Sequence, residues 1–192
     1  MPSGTPAPTG PADAIAVTTG DLDGDGDIDL LVGYANGDCE LLSNDGTARF
    51  AGRVILPAPP IPSPISFDVA DADGDGDLDI LRTASWLELF LNNGSGGFVR
   101  STGTLFPFNV VDATLADVDD DGQNDVVLST LSTTEVHLGA GNGFFVLSAP
   151  ALPAIASSND SVATADIDLD GDIDIVTGGA TNRVYLNNGD GT

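Results

Sequence analysis

The residues of this chain best placed to do chemistry are aspartates set two apart, in a pattern that returns four times. The first set runs Asp21-Leu22-Asp23-Gly24-Asp25-Gly26-Asp27-Ile28-Asp29, and sets of the same form span Asp71 to Asp79, Asp117 to Asp125 and Asp166 to Asp174, at intervals of 50, 46 and 49 residues. Each carries Asp at positions 1, 3, 5 and 9 and Gly at position 6, so several carboxylates converge on one point and repel one another unless a cation sits between them. Carboxylate oxygens select hard cations. Calcium fits best, because it accepts about six to eight oxygen ligands in a flexible shell, whereas magnesium demands a tight octahedron and keeps more of its water. The third set departs from the others with Asp120 at position 4, Gln123 at position 7 and Asn124 where the others carry Ile28, Leu78 and Ile173. Loss of that apolar anchor predicts that the third loop is the most mobile of the four.

An EF-hand begins the same way, but it needs a bidentate Glu at position 12 and a helix on either side. Position 12 here is Val32, Arg82, Leu128 and Thr177, none of them a carboxylate, so the shell must close at position 9. The flanks also disagree with helices. Ile15, Val17 and Thr19, then Ile65, Phe67 and Val69, then Val111, Ala113 and Leu115 precede their loops with the two-residue period of a strand. Short apolar runs such as Leu30-Leu31-Val32 and Val126-Val127-Leu128 follow, so the loops join strand to strand.

About twenty residues after each loop begins, an apolar pair runs into a turn: Leu41-Leu42-Ser43-Asn44-Asp45-Gly46, Phe90-Leu91-Asn92-Asn93-Gly94, His137 to Gly143, and Tyr185-Leu186-Asn187-Asn188-Gly189. Asn-Gly and Asp-Gly tolerate the positive φ of tight hairpins. An aromatic follows in three cases, Phe50, Phe98 and Phe144, and opens an extended segment that ends near Pro57, Pro107 or Pro150. One unit therefore holds about four strands. Four strands in a repeat of this length are the signature of a β-propeller blade, and the predicted class is all-β with four-stranded antiparallel blades.

At this point the residues resemble a known family, the FG-GAP/VCBS repeats of integrin-α-type propellers and bacterial secreted proteins. The resemblance rests on four strand, Asp-x-Asp-x-Asp-Gly-x-x-Asp loop, strand matches in register, with Asn-Asn-Gly-Asp-Gly-Thr at residues 187 to 192, and it covers residues 13 to 192. It implies calcium, about four ions, held by the side chains of Asp21, Asp23, Asp25 and Asp29; Asp71, Asp73, Asp75 and Asp79; Asp117, Asp119, Asp121 and Asp125; and Asp166, Asp168, Asp170 and Asp174. It implies further that position 7, Asp27, Asp77, Gln123 or Asp172, offers its backbone carbonyl, which Gln123 serves as well as Asp. The blades then run over about 13–60, 61–108, 109–156 and 157–192, after a Pro/Gly-rich segment 1–12.

Composition agrees. Against 30 acids the chain has five Arg and no Lys, for a net charge of −25, and most of its Asp lie inside the four loops, so the charge is concentrated rather than spread over the surface. Nucleic acid and anionic membranes require clustered cations, which are absent. No apolar stretch approaches the length of a transmembrane helix. Met1 to Pro11 has neither the basic region nor the apolar core of a signal peptide. Loops of this charge nevertheless fill where calcium is millimolar, so an extracellular or cell-surface location is expected, with this chain a processed piece of a secreted protein. Cys39 is alone, so no intramolecular disulfide forms.

Catalysis has little to work with. One His, one Cys and no Lys exclude most nucleophilic and imine chemistry. His137 takes the strand position of Leu41, Phe90 and Tyr185 in the other units, which predicts packing rather than proton transfer. Paired acids could imitate a glycosidase, but acids committed to calcium cannot shuttle protons, and Asp13, Asp38, Glu40, Asp68, Glu88, Asp112, Glu135 and Asp160 show no paired pattern. Trp86, Tyr34, Phe106 and Phe108 are candidates to line a sugar pocket between blades. The expected function is a non-catalytic calcium-binding scaffold for adhesion or for carbohydrate or protein recognition, with a portion of a secreted polysaccharide-active, lyase-like enzyme as the alternative. A third reading is a module that binds only its neighbouring blades. The fourth unit stops at Thr192, before an outer strand. A homodimer forming an eight-blade ring would cover that edge; the alternatives are a small four-blade ring or an outer strand from Ser3 to Thr9, whose prolines suit only an edge.

Overall fold

The computed structural model describes residues 10, 12–56, 66–84, 86–102, 106, 109–148, 152 and 159–189. The expectations on Ser3 to Thr9, Ile65, the prolines at 57, 107 and 150, Phe108 and residues 190 to 192 lie outside them. Among the described residues there are strands and no helix, so no helix is long and apolar enough to cross a membrane.

The strands form four separate antiparallel sheets, each connected in simple up-and-down order. The first contains β1 (Ala14–Gly20), β2 (Asp29–Tyr34), β3 (Cys39–Asn44) and β4 (Phe50–Ile55). The second contains β5 (Ser66–Ala70), β6 (Asp79–Thr83), β7 (Leu87–Leu91) and β8 (Val99–Arg100). The third contains β9 (Val110–Ala116), β10 (Asp125–Thr130), β11 (Thr134–Gly139) and β12 (Phe145–Leu147). The fourth has three strands among the described residues, β13 (Asn159–Ala165), β14 (Asp174–Gly179) and β15 (Arg183–Tyr185). Every acidic loop joins the first strand of its sheet to the second, and the register repeats: Gly20 faces Asp29, Ala70 faces Asp79, Ala116 faces Asp125 and Ala165 faces Asp174. The position-9 aspartate thus opens the second strand in every unit.

The sheets pack face to face in chain order. Leu22, Leu31 and Leu41 of the first meet Ile80, Phe90 and Phe98 of the second. Ala72, Leu81 and Leu89 of the second meet Ala113, Leu115 and Val126 of the third. Val118, Val127 and Val136 of the third meet Val162 and Ile175 of the fourth. Both faces of the middle strands are covered, which is why β6 and β10 are buried along their whole length. No hydrophobic cluster among the described residues joins the fourth sheet to the first.

The structure shifts one aromatic. Phe145, not Phe144, is the buried ring equivalent to Phe98, because Gly139 pairs with Phe145 in β12 and Phe144 points outward. The spacing is then the same in all three units, six residues from Asn44 to Phe50, from Asn92 to Phe98 and from Gly139 to Phe145.

Position 4 of every loop is left-handed, at Gly24, Gly74, Asp120 and Leu169. Leu169 has a φ of 65° and is almost fully exposed, so it bears the steric cost of that conformation, about 1–2 kcal/mol for a residue with a Cβ, with no packing in return. Leu169→Gly is therefore expected to stabilise the protein by about 1 kcal/mol, seen as a melting temperature higher by about 2–4 °C. A lower midpoint would mean that the exposed leucyl side chain contributes packing of its own.

Candidate metal centres

In each loop, positions 1, 3 and 9 converge. Carboxylate oxygens of Asp21, Asp23 and Asp29 lie within 4.8 Å of one another, as do those of Asp71, Asp73 and Asp79, of Asp117, Asp119 and Asp125, and of Asp166, Asp168 and Asp174. Strand pairing holds position 9 in place, while a turn stabilised by position 1 curls the loop back over it. Asp21, Asp71, Asp117 and Asp166 each accept a hydrogen bond from the N–H of the position-6 glycine, at 2.9–3.2 Å.

The position-9 carboxylate is tied from both sides in all four units. Its Oδ2 accepts the N–H of position 2, from Leu22, Ala72, Val118 and Ile167 at 2.8–3.0 Å. Its Oδ1 accepts an N–H from the end of the third strand or just beyond, from Asn44, Asn92, Gly139 and Asn187 at 2.7–2.9 Å. The aspartate therefore pins the loop to the hairpin end, and each oxygen keeps a lone pair for a cation. Position 5 is turned elsewhere: Asp25, Asp75, Asp121 and Asp170 accept the N–H of position 7 and fall outside the tight groups. The side chains of Asp27, Asp77, Gln123 and Asp172 lie over the turn glycines Gly46, Gly94, Gly141 and Gly189, where a Cβ would come within 2.5–2.9 Å of them.

The donor set suits a hard cation. Asp23 Oδ1, Asp119 Oδ1 and Asp166 Oδ1 are buried oxygens without a hydrogen-bond partner, one in each of three loops, and a buried carboxylate oxygen left unpaired is costly unless something positive meets it. Charge crowding acts on the same groups. Burial, reinforced by the position-5 carboxylate, raises Asp73, Asp119 and Asp168 above the usual range. Burial also lifts Asp79 and Asp125 to about 6, overcoming the two backbone N–H groups on each. In the fourth loop, on which no further sheet packs among the described residues, the N–H groups of Asn187 and Ile167 prevail and Asp174 is lowered instead.

A carboxylate raised in the folded state binds its proton more tightly there than in the unfolded chain. In protein stripped of divalent cations, the share of stability due to Asp79 and Asp125 is complete below about pH 4 and is lost as pH rises through about 6. Metal-free protein is thus expected to melt at a higher temperature near pH 5 than near pH 7.5. In calcium the order reverses, because protons compete with the cation. Parallel slopes in both conditions would rule out these two carboxylates as ligands.

Sequence reasoning missed how the loops are linked between sheets. The side-chain amide of Asn92 donates to the carbonyl of Leu22 in the preceding loop (3.0 Å) as well as to Leu78 in its own (2.9 Å). Asn187 repeats this with Val118 (2.5 Å) and Ile173 (3.0 Å). The third unit has Gly139 at that position, and there Asn124 takes over, donating to the carbonyl of Asp71 in the preceding loop at 2.8 Å. Asn124 is therefore an anchor of a different kind, not a lost one, which corrects the expectation drawn from its polarity. Glycine at 139 is required by the exchange, since a Cβ would lie 2.3 Å from the Asn124 carbonyl oxygen.

The remaining acids are patterned after all. Glu40, Glu88 and Glu135 share one register on the third strands, opposite Val32, Arg82 and Leu128. Each is paired: Glu40 with Arg53 and the Tyr34 hydroxyl, Glu88 with the buried Arg82 and with Arg100, and Glu135 with His137 at 3.0 Å. Asp68 and Asp112 link neighbouring inner strands, Asp68 accepting the Leu115 N–H and Asp112 the Val162 N–H. His137 is buried, with its ring centroid 5.5 Å from that of Phe106. Of the aromatics considered for a sugar pocket, Tyr34 is consumed by Glu40. Phe106 edges a small polar cavity with Glu88, Arg100 and Ser101.

An all-β repeat protein with one carboxylate cluster per repeat is the class these features define. A family model described as FG-GAP-like repeat matches residues 21–82 and 117–177, more than half of the chain, and the chain belongs to that family. No curated protein matches it. Among solved structures it is similar to an Agrocybe aegerita lectin described by its recognition of non-reducing terminal N-acetylglucosamine, with a TM-score of 0.61 and 21% identity over 91% of this chain and 49% of the lectin. It is also similar to the Tc holotoxin pore of Photorhabdus luminescens, with a TM-score of 0.54 and 18% identity over 98% of this chain and 9% of that one. The chain spans about half the length of the lectin, and at these identities both likenesses concern the fold alone.

Proposed function

We propose that this chain is a calcium-binding β-propeller module, with blades at about 13–60, 61–108, 109–156 and 157–192, that works outside the cell as a non-catalytic scaffold for glycan or protein recognition. The observation that carries the metal half is the fourfold recurrence of a carboxylate trio within 4.8 Å in identical strand register. Positions 1, 3 and 9 would hold the ion, with the position-5 carboxylate and the position-7 backbone carbonyl as further oxygen donors. Bound calcium supplies the positive charge that lets these carboxylates share one point. What supports the extracellular setting is that exposed acidic loops of this kind fill at millimolar calcium.

Support for recognition comes from the fold: consecutive sheets present loops and hairpin turns side by side, and the similar lectin of 0.61 TM-score uses such an architecture in a protein that recognises a sugar. Support for a non-catalytic role comes from His137, the single histidine, which is packed against Phe106 and paired with Glu135. A glycan array probed in calcium and again in EDTA tests the proposal. Retention on a defined glycan class in calcium, lost in EDTA, is expected. Absence of retention in both would remove the glycan half and leave a protein partner.

A further inference from the structure

The first and fourth sheets each present a face that the repeat elsewhere covers. Leu22, Ala72 and Val118, at position 2 of their loops, are 0%, 3% and 1% exposed, whereas Ile167 at the same position of the fourth loop is 44% exposed. On the third strands, Leu41, Leu89 and Val136 are 0%, 3% and 4% exposed, and their equivalent Val184 is 54% exposed. Leu186 beside it is also half exposed. At the other end of the chain, Ala113 and Val162 on the inner strands are 6% and 8% exposed, while the equivalent Val17 is 65% exposed and Ile28 is exposed with it.

Polar groups at the two ends are complementary in the same sense. At the three junctions inside the chain, an asparagine amide donates to a carbonyl of the preceding loop, Leu22, Asp71 or Val118. Asn44 is the corresponding asparagine of the first unit, and its amide, at the surface, donates to its own loop at Ile28. Ile167 is the residue of the fourth loop at the place of Leu22 and Val118.

We infer that the face formed by Ile167, Val184 and Leu186 docks on the face formed by Val17 and Ile28 of a second copy of this chain, with the Asn44 amide of one copy donating to the Ile167 carbonyl of the other. The occupant is defined by the repeat itself. Each half of this junction has three intact counterparts within the chain, all made of the same strands in the same order. Two copies joined head to tail make the contact twice and close by a twofold rotation. Burying these apolar side chains also removes the exposed patches that a lone module would present. This deepens the propeller reading and depends on it for the packing of consecutive sheets, not for the metal.

Sedimentation velocity in calcium at moderate salt tests it with four samples: the natural chain, Val17→Asp, Val184→Arg and an equimolar mixture of the two variants. The natural chain is expected at twice the chain mass of 19.4 kDa, and each variant alone at the single mass. The mixture returns to the doubled mass, because it contains one unaltered junction and one in which the introduced charges are opposite. A variant that merely unfolded could not be rescued by mixing. A natural chain at the single mass, variants that stay paired, or a mixture that fails to pair each overturns the inference. Melting temperatures of the same samples with and without calcium report on the metal reading separately, so a single mass with the calcium shift intact removes only the pairing.

Discussion

Removal of calcium lowers the melting temperature by more than about 10 °C, the largest effect expected of any treatment of this protein. A ligand that binds only the folded state at one hundred times its dissociation constant adds about 2.7 kcal/mol per site, and a chain of this size gains about 2–4 °C per kcal/mol. Four clusters occur, one in each junction of first and second strand, so their contributions accumulate across the whole chain rather than in one corner. The metal-free state is weakened directly as well. Each cluster then holds several like charges within 4.8 Å, and three loops keep a buried oxygen with no partner. Scanning calorimetry in millimolar Ca²⁺ and in EDTA provides the measurement. An unchanged midpoint removes the metal assignment, and a shift of the same size with magnesium removes the preference for calcium.

Asp79→Ala has the second-largest effect, and it is felt with or without metal. Asp79 is fully buried, and its two oxygens accept the N–H groups of Ala72 and Asn92 at 2.8 Å each. Truncation leaves two buried donors unsatisfied, at about 1–3 kcal/mol apiece, and frees the second loop from the end of β7. The variant is expected to lose about 3–5 kcal/mol in EDTA and one ion of stoichiometry by titration calorimetry in calcium. Asp77→Ala is the contrast. Its carboxylate lies over Gly94, outside the trio of Asp71, Asp73 and Asp79, so it should keep the ion count and cost less than about 1 kcal/mol. Equal losses of stoichiometry would show that position 7 binds through its side chain. Loss of the ion from Asp79→Ala with no loss of stability in EDTA would show that the two N–H groups find other partners.

The loops were legible in the sequence because their information is local. Alternating aspartates, an obligatory left-handed glycine and a return to apolar residues all fall within nine positions, and four copies in register exclude chance. The strand pairs followed for the same reason, since each hairpin is closed by its own turn. Where the reading failed, the deciding partner was far away in the chain. Asn124 looked like a lost anchor because its acceptor, the Asp71 carbonyl, lies 53 residues earlier. Asn92 and Asn187 looked like turn residues alone, although each reaches a loop about 70 residues before it. Glu40, Glu88 and Glu135 looked unrelated until strand pairing put them in one register on the third strands.

By itself, then, the sequence determined the repeat, the strand–loop–strand unit and the positions at which carboxylates gather, because these depend on covalent spacing and on the preferences of Asp, Asn and Gly over a few residues. Only the tertiary structure decided which oxygens remain free for a cation, which asparagines bridge one sheet to the next, and which apolar faces stay open at the first and fourth sheets. The reason is physical: a side chain's burial and hydrogen-bond partners are set by the neighbouring sheet, and the neighbour of Val184 or Val17 is not written next to it in the chain.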